Sequence, residues 1–260
     1  MGHRRLGELP ATRNWQSVVA LLRLTDDPAR IAEETSKAAD KGLQMAKEDW
    51  GMARVLRMLM EAVRASGAND CTARWTRLGM TMPKEASLLD FVAAFDDAMD
   101  KSLRSRQHRS DLAEMARYAA VDALTQMCQR ETGSLFGVSL ADTQRTLKKY
   151  TTTKNFGQVG HDFFGKFLYR FLDYHLSREL PNHIGPKKQF KTIEACQGFK
   201  EALKLHCYQT ARIVREFSGC WPSAADYRRQ LHESTVRTQF MPVAFSKIKS
   251  ELKKRERGNA

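Results

Sequence analysis

The sequence predicts an all-α protein: a multi-helix bundle in which a neutral N-terminal half packs on a basic C-terminal half around a central aromatic-rich helix. Three observations predict it. Apolar residues recur at three- and four-residue spacing along the whole chain, with no strong alternating pattern. Only 7 prolines interrupt 260 residues. Residues that open helices (Ser, Thr, Asp, Asn) stand before most of the periodic runs.

The elements follow in order. Asn14 opens a first run with Trp15, Val18, Val19 and Leu22 on one face. Asp27 and Pro28 are a capping residue and a proline at the first helical position. The helix they start, expected to reach about residue 47, is poor in large apolar residues and reads as a thinly buried outer helix. Met52, Val55, Leu56, Leu59, Met60 and Val63 mark an apolar partner that completes a hairpin. Residues 67–87 read as irregular, anchored by Trp75. Ser87 opens an amphipathic helix carrying Leu88, Leu89, Phe91, Val92, Phe95 and Met99. Residues 101–109 read as a charged linker. Asp111 with Glu114 is a cap pair for an Ala-rich helix suited to close packing.

Gly133 and Gly137 mark a second break. Ser139 caps a short helix to about Tyr150, and residues 151–155 read as a polar loop. Residues 156–180 form the most apolar helix, crowded by Phe156, Phe163, Phe164, Phe167, Tyr169, Phe171 and Tyr174. A helix aromatic on so much of its circumference is expected at the centre of its half. Residues 181–186 read as a turn. Thr192 starts a helix expected to continue to Phe217, with Ile193, Cys196, Phe199, Leu203 and Val214 in its buried stripe and Gly219 as its stop. Ser223 with Asp226 opens a short basic helix. The chain closes on a helix carrying Val243, Phe245, Ile248 and Leu252.

The charge is divided unevenly. The chain has 43 Lys and Arg against 30 Asp and Glu, a net +13. Residues 1–144 carry 20 basic and 20 acidic residues, and residues 145–260 carry 23 and 10, so the whole excess lies in the second half. Residues 241–260 supply six basic and two acidic residues, so most of the excess belongs to the folded part before them. A polarised molecule of this kind attracts a polyanion or an acidic protein surface. The two halves, 1–144 and 145–260, read as a packing and partner region and a basic binding region, within one domain or two. The candidate phosphate contacts are Lys148, Lys149, Lys154, Lys187, Lys188, Lys191, Arg228, Arg229, Lys247, Lys249, Lys253, Lys254, Arg255 and Arg257. Trp221 and Tyr227 are candidates for stacking on an unpaired base.

Several classes are disfavoured. Gly157, Gly160 and the pair Gly165 and Lys166 lack the spacing of a phosphate-binding loop. Serine-hydrolase, zinc-protease and dinucleotide signatures are missing. The five cysteines, Cys71, Cys128, Cys196, Cys207 and Cys220, form no Cys-x-x-Cys pair, and they read as small buried residues rather than disulfides or metal ligands. No cofactor or metal is expected. The first residues lack an apolar signal segment, and no run reaches the ~20 apolar residues of a membrane span, so the expectation is a cytoplasmic protein.

Two resemblances add to this reading. Arg170, Phe171, Leu172, Asp173, Tyr174 and His175 place an arginine five residues before a histidine inside a helix. That spacing resembles HEPN-type ribonucleases, although the residue after the arginine, polar in that motif, is Phe171 here. The resemblance implies acid–base transfer by His175 on a ribose 2′-hydroxyl and a phosphate clamp by Arg170. Residues 164–185, together with residues 211–219 and Trp221, resemble small helical proteins of unassigned activity encoded beside bacterial anti-phage defence genes. That resemblance implies an accessory subunit of a defence complex. The leading expectation is a non-enzymatic subunit that binds nucleic acid through its basic face. The metal-independent ribonuclease and a protein-only adaptor are the alternatives.

Overall fold

The computed structural model describes residues 9–105, 107–134, 136–218 and 232–258. They form an all-α multi-helix bundle. The order is α1 (Arg13–Leu24), α2 (Pro28–Ala38), α3 (Asp40–Glu48), α4 (Trp50–Ala65), α5 (Cys71–Arg77), α6 (Leu88–Ser105) and α7 (Asp111–Thr132). Then come α8 (Leu140–Lys148) with a 3-10 turn (Lys149–Thr151), α9 (Thr153–Leu176), a second 3-10 turn (Leu180–His183), α10 (Ile193–Thr210) and α11 (Arg212–Ser218). After α12 (Glu233–Thr235) and a π-helical turn (Val236–Phe240), α13 (Met241–Gly258) closes the described chain. No strand occurs among the described residues, only isolated bridges between Ser87 and Ser139 and between Ile184 and Phe190.

The local chemistry explains the boundaries and corrects some of them. Asp27 accepts from the N–H groups of Ala29 and Arg30, with Pro28 behind it, and so opens α2. That helix stops at Ala39, which leaves helical geometry (φ −93°, ψ 15°), so the single helix expected to residue 47 is two. Nor is α2 thinly buried. Ala29, Ile31, Ala32, Thr35 and Ser36 are all buried, and the helix packs on α1, α9, α10 and α13. Its small side chains permit close approach, which a count of large apolar residues misses. The irregular region contains α5, and Trp75 anchors it by donating its indole N–H to the Ala62 carbonyl at 2.9 Å. The charged linker is half helix: α6 runs to Ser105, held by the ion pairs of Lys101 with Asp97 and Arg104 with Asp100. The cap of α7 is Ser110, which accepts from the Ala113 N–H, so Asp111 and Glu114 lie inside the first turn. The helix expected to run from Thr192 to Phe217 breaks at Ala211 into α10 and α11. Ile193, at the first position of α10, is 63% exposed rather than buried.

The aromatic-rich helix α9 is central, as its composition predicts. It packs on α7 along one side and on α10 and α11 along others. Phe156, Phe163, Phe164, Phe167, Phe171, Leu172 and Leu176 are all buried. Phe245 of α13 meets both Phe164 and Phe167 edge-on, at centroid distances of 5.6 and 5.8 Å. Each ring burial contributes about 1.5–3 kcal/mol, and the edge-on geometry adds to it. One buried cluster runs from Trp15 to Leu252, so the neutral and basic halves share a single core.

Gly157 sets how closely α11 can approach. A Cβ built there lies 2.6 Å from the Arg215 carbonyl oxygen, a contact with backbone that cannot be relieved by a rotamer change. Gly157→Ala should therefore force α11 away from α9 and lower the unfolding free energy by about 1–3 kcal/mol. A urea titration followed by circular dichroism reads this directly, and an unchanged midpoint would show that the contact yields.

Candidate nucleic-acid interface

The expected phosphate contacts fall into separate groups. Lys148 and Lys149 lie at the end of α8 and Lys154 in the first turn of α9, all exposed, with Lys149 paired to Glu131 at 2.5 Å. Along α13, Lys249 is paired with Asp40, and Arg255 with Glu251 at 3.1 Å and with the Gln209 carbonyl at 3.2 Å. Lys247 sits 5.8 Å from the Phe217 ring, and Lys253 and Lys254 are exposed. Arg228, Arg229, Trp221, Tyr227, Cys220, Gly219 and the short helix expected after Ser223 lie outside the described residues, as does the side chain of Arg257.

Lys187, Lys188 and Lys191 are brought together. They stand on the connection between α9 and α10, and Arg23 from the last turn of α1 joins them around a concavity of about 650 Å³. The connection is a built turn. The Gly185 N–H donates to the Phe190 carbonyl at 2.8 Å, the Lys188 N–H to the Gly185 carbonyl at 3.0 Å, and the Phe190 N–H to the His183 carbonyl at 3.0 Å. Gly185 has φ +151°, which a side chain would resist. Phe190 is buried and packs on Phe199 with centroids 5.3 Å apart, so the turn is nailed to α10. Lys187, Lys188 and Lys191 project from it, exposed.

The one carboxylate in this basin faces inward. Glu179 accepts from Asn182 at 3.2 Å and meets buried His183 at 2.9 Å, and only 16% of its side chain is exposed. Among the described residues no carboxylate lies within 4 Å of Arg23, Lys187, Lys188 or Lys191. The basin therefore presents four uncommitted cations and one covered anion.

Arg170 and His175 do not share a cleft. Arg170 points toward α7 and pairs with Asp122 at 2.5 Å. His175 faces α1, its ring 4.8 Å from Trp15 and 5.2 Å from Phe171, with Nδ1 shielded and unpartnered. Burial, with Arg178 adding to it, pushes His175 down to about 4. A ring held neutral against indole and phenyl faces is poorly placed to exchange protons with a bound strand.

A charged seam on α9 was not singled out from the sequence. Asp162 is fully buried and carries three partners. Arg130 of α7 grips both its oxygens at 3.2 Å, Gln158 donates to it at 2.8 Å, and the Tyr208 hydroxyl donates at 2.6 Å. Burial and the Asp162 charge together push the Tyr208 phenol upward, so it remains a donor. The signal was available: a carboxylate on the most apolar helix must be paired. Cys71, Cys128, Cys196 and Cys207 are free and buried, and among the described residues no three His, Cys, Asp or Glu side chains gather as metal ligands. No described helix is long and apolar enough to cross a membrane. Set beside family models, curated proteins and solved structures, the chain matches none.

Two outcomes follow. Asp162→Ala strands Arg130 and Tyr208 and should lower the unfolding free energy by about 3–5 kcal/mol, seen as a fall in the urea midpoint. The histidines set an acid limit. Burial holds both His175 and His206 down to about 4 in the fold, against an ordinary value of 6.5. The unfolded chain thus binds more protons between pH 6.5 and 4, and stability present above that window is lost as pH falls through it, on the order of 2 kcal/mol per ring. His175→Phe should remove its share of this loss, and an equally steep acid decline in that variant would contradict the assignment.

Proposed function

We propose that the protein is a non-enzymatic helical subunit that binds a nucleic-acid backbone through the basin of Arg23, Lys187, Lys188 and Lys191. One observation carries the reading: these four cations have no acidic partner among the described residues and surround one concavity whose single carboxylate is turned inward. Lysines on a turn act as point charges for phosphates and read no base edges, so binding is expected to be indifferent to sequence. The lysines also reach solvent without disturbing the core, because buried Leu180, His183 and Phe190 anchor the connection from which they project. Lys253 and Lys254 of α13, exposed in a separate group, are the alternative contact. A cytoplasmic accessory subunit of an anti-phage defence assembly is the setting implied by the resemblance over residues 164–185, a stretch that includes Glu179 and His183 of the basin wall.

Fluorescence anisotropy with short labelled RNA and DNA across a salt titration tests this. Four phosphate contacts give a log–log slope of about −3 to −4 on duplex DNA. Changing Lys187, Lys188 and Lys191 together to Glu should weaken binding at least ~10-fold and flatten the slope by about 2–3. Absence of binding at low salt would remove the proposal in favour of a protein-only adaptor. Binding lost instead on Lys253→Glu with Lys254→Glu would move the contact to α13.

A further inference from the structure

Helices α7 and α9 run antiparallel, and their facing polar residues recur every four positions. On α7 these are Asp122, Gln126 and Arg130, and on α9 they are Asp162, Lys166 and Arg170. The two outer rungs are closed. Arg130 holds Asp162, and Arg170 holds Asp122. The four-residue register places Lys166 opposite Gln126 at the middle rung, and this one is open.

Lys166 has no carboxylate within 4 Å among the described residues, and burial pushes its ammonium below the ordinary lysine range. Gln126 Oε1 is shielded from solvent and has no hydrogen-bond partner. At this rung α7, α9 and α10 enclose a cleft of about 510 Å³, a size ordinary for small-molecule sites. The other charges lining it are committed: Asp122 to Arg170, and Glu201 to Lys204 at 3.4 Å. Lys166 is thus its one uncommitted charge among the described residues. Leu205 and Tyr208 of α10 give it an apolar side, and the Tyr208 ring is held in place by its hydroxyl bond to Asp162.

We infer that this cleft binds a small organic anion carrying a planar ring, with the anionic group on Lys166, a ligand donor on Gln126 Oε1, and the ring against Tyr208 and Leu205. A charge-assisted bond in a shielded site compensates the ammonium for lost solvent, and a donor at Gln126 fills an acceptor left unmade by the fold. The inference is independent of the nucleic-acid reading, since no basin residue lines the cleft.

Isothermal titration calorimetry of the full chain with adenosine monophosphate, phenyl phosphate and benzoate tests it. At least one of the three is expected to bind with one-to-one stoichiometry. Lys166→Met should weaken that binding at least ~10-fold while leaving the melting temperature level or higher, because it removes a desolvated charge and keeps the stem. The triple Glu variant of the basin should bind the same probe unchanged. Binding by none of the probes, or equal binding to the Lys166→Met protein, would overturn the assignment.

Discussion

A helix buried on nearly every side has no water-facing stripe on which to leave its polar residues, and this constraint governs α9 and the helices around it. Phenylalanines fill most of its circumference, so the charges of its closed rungs are answered from neighbouring helices. Arg130 and Tyr208 answer Asp162, and Asp122 answers Arg170. These bonds fix the antiparallel register of α7 on α9, because a shift of one residue would separate both pairs at once. Tyr208 carries the same constraint to α10. The polar seam is therefore a specification of which helix lies where, while the phenylalanines supply the burial.

The charge asymmetry has a different meaning in the fold than along the chain. Many cations of the basic half are used internally: Lys249 ties α13 to Asp40, Arg255 ties it to α10, and Lys200 holds Asp173 at 2.9 Å. Such pairs join elements and leave little field outside. Three of the outward, unpaired lysines stand together where the chain turns between α9 and α10. There the connection, whose one carboxylate Glu179 is turned inward, presents Lys187, Lys188 and Lys191 beside the end of α1. Net charge located the half of the molecule. The ion pairs decided which cations in that half were free.

The fold class and the central helix were legible because both rest on apolar periodicity, which burial in the structure follows closely. Phe95, Phe163 and Phe167 are where a large apolar residue in a periodic run should be. The breaks at Ala39 and Ala211 were not legible, since alanine is a strong helix former and nothing local demands a stop. They arise because α3 must reach α13, and α11 must reach Gly157, which are tertiary requirements. The site was half legible. Lys187, Lys188 and Lys191 are adjacent in sequence and so remained adjacent in space. Arg23, more than 150 residues away in the chain, could not be attached to them without the packing of α1. The seam was missed for another reason: Asp162 and Lys166 were submerged among aromatics that drew the reading toward core.

The choice between lysine and arginine separates the two regions. In the seam, arginines make the closed rungs, and Arg130 spans both oxygens of Asp162 as a planar fork allows. At the α9–α10 turn, three of the four basin cations are lysines, whose compact charges on flexible stems suit an irregular row of phosphates better than a fixed carboxylate. Lys166 combines lysine chemistry with the surroundings of the seam. It stands between two arginine–carboxylate rungs, where a third such rung would have closed the ladder, opposite an amide that offers no charge. The fold gives carboxylate partners to the arginines on either side of it and places none within 4 Å of Lys166 among the described residues.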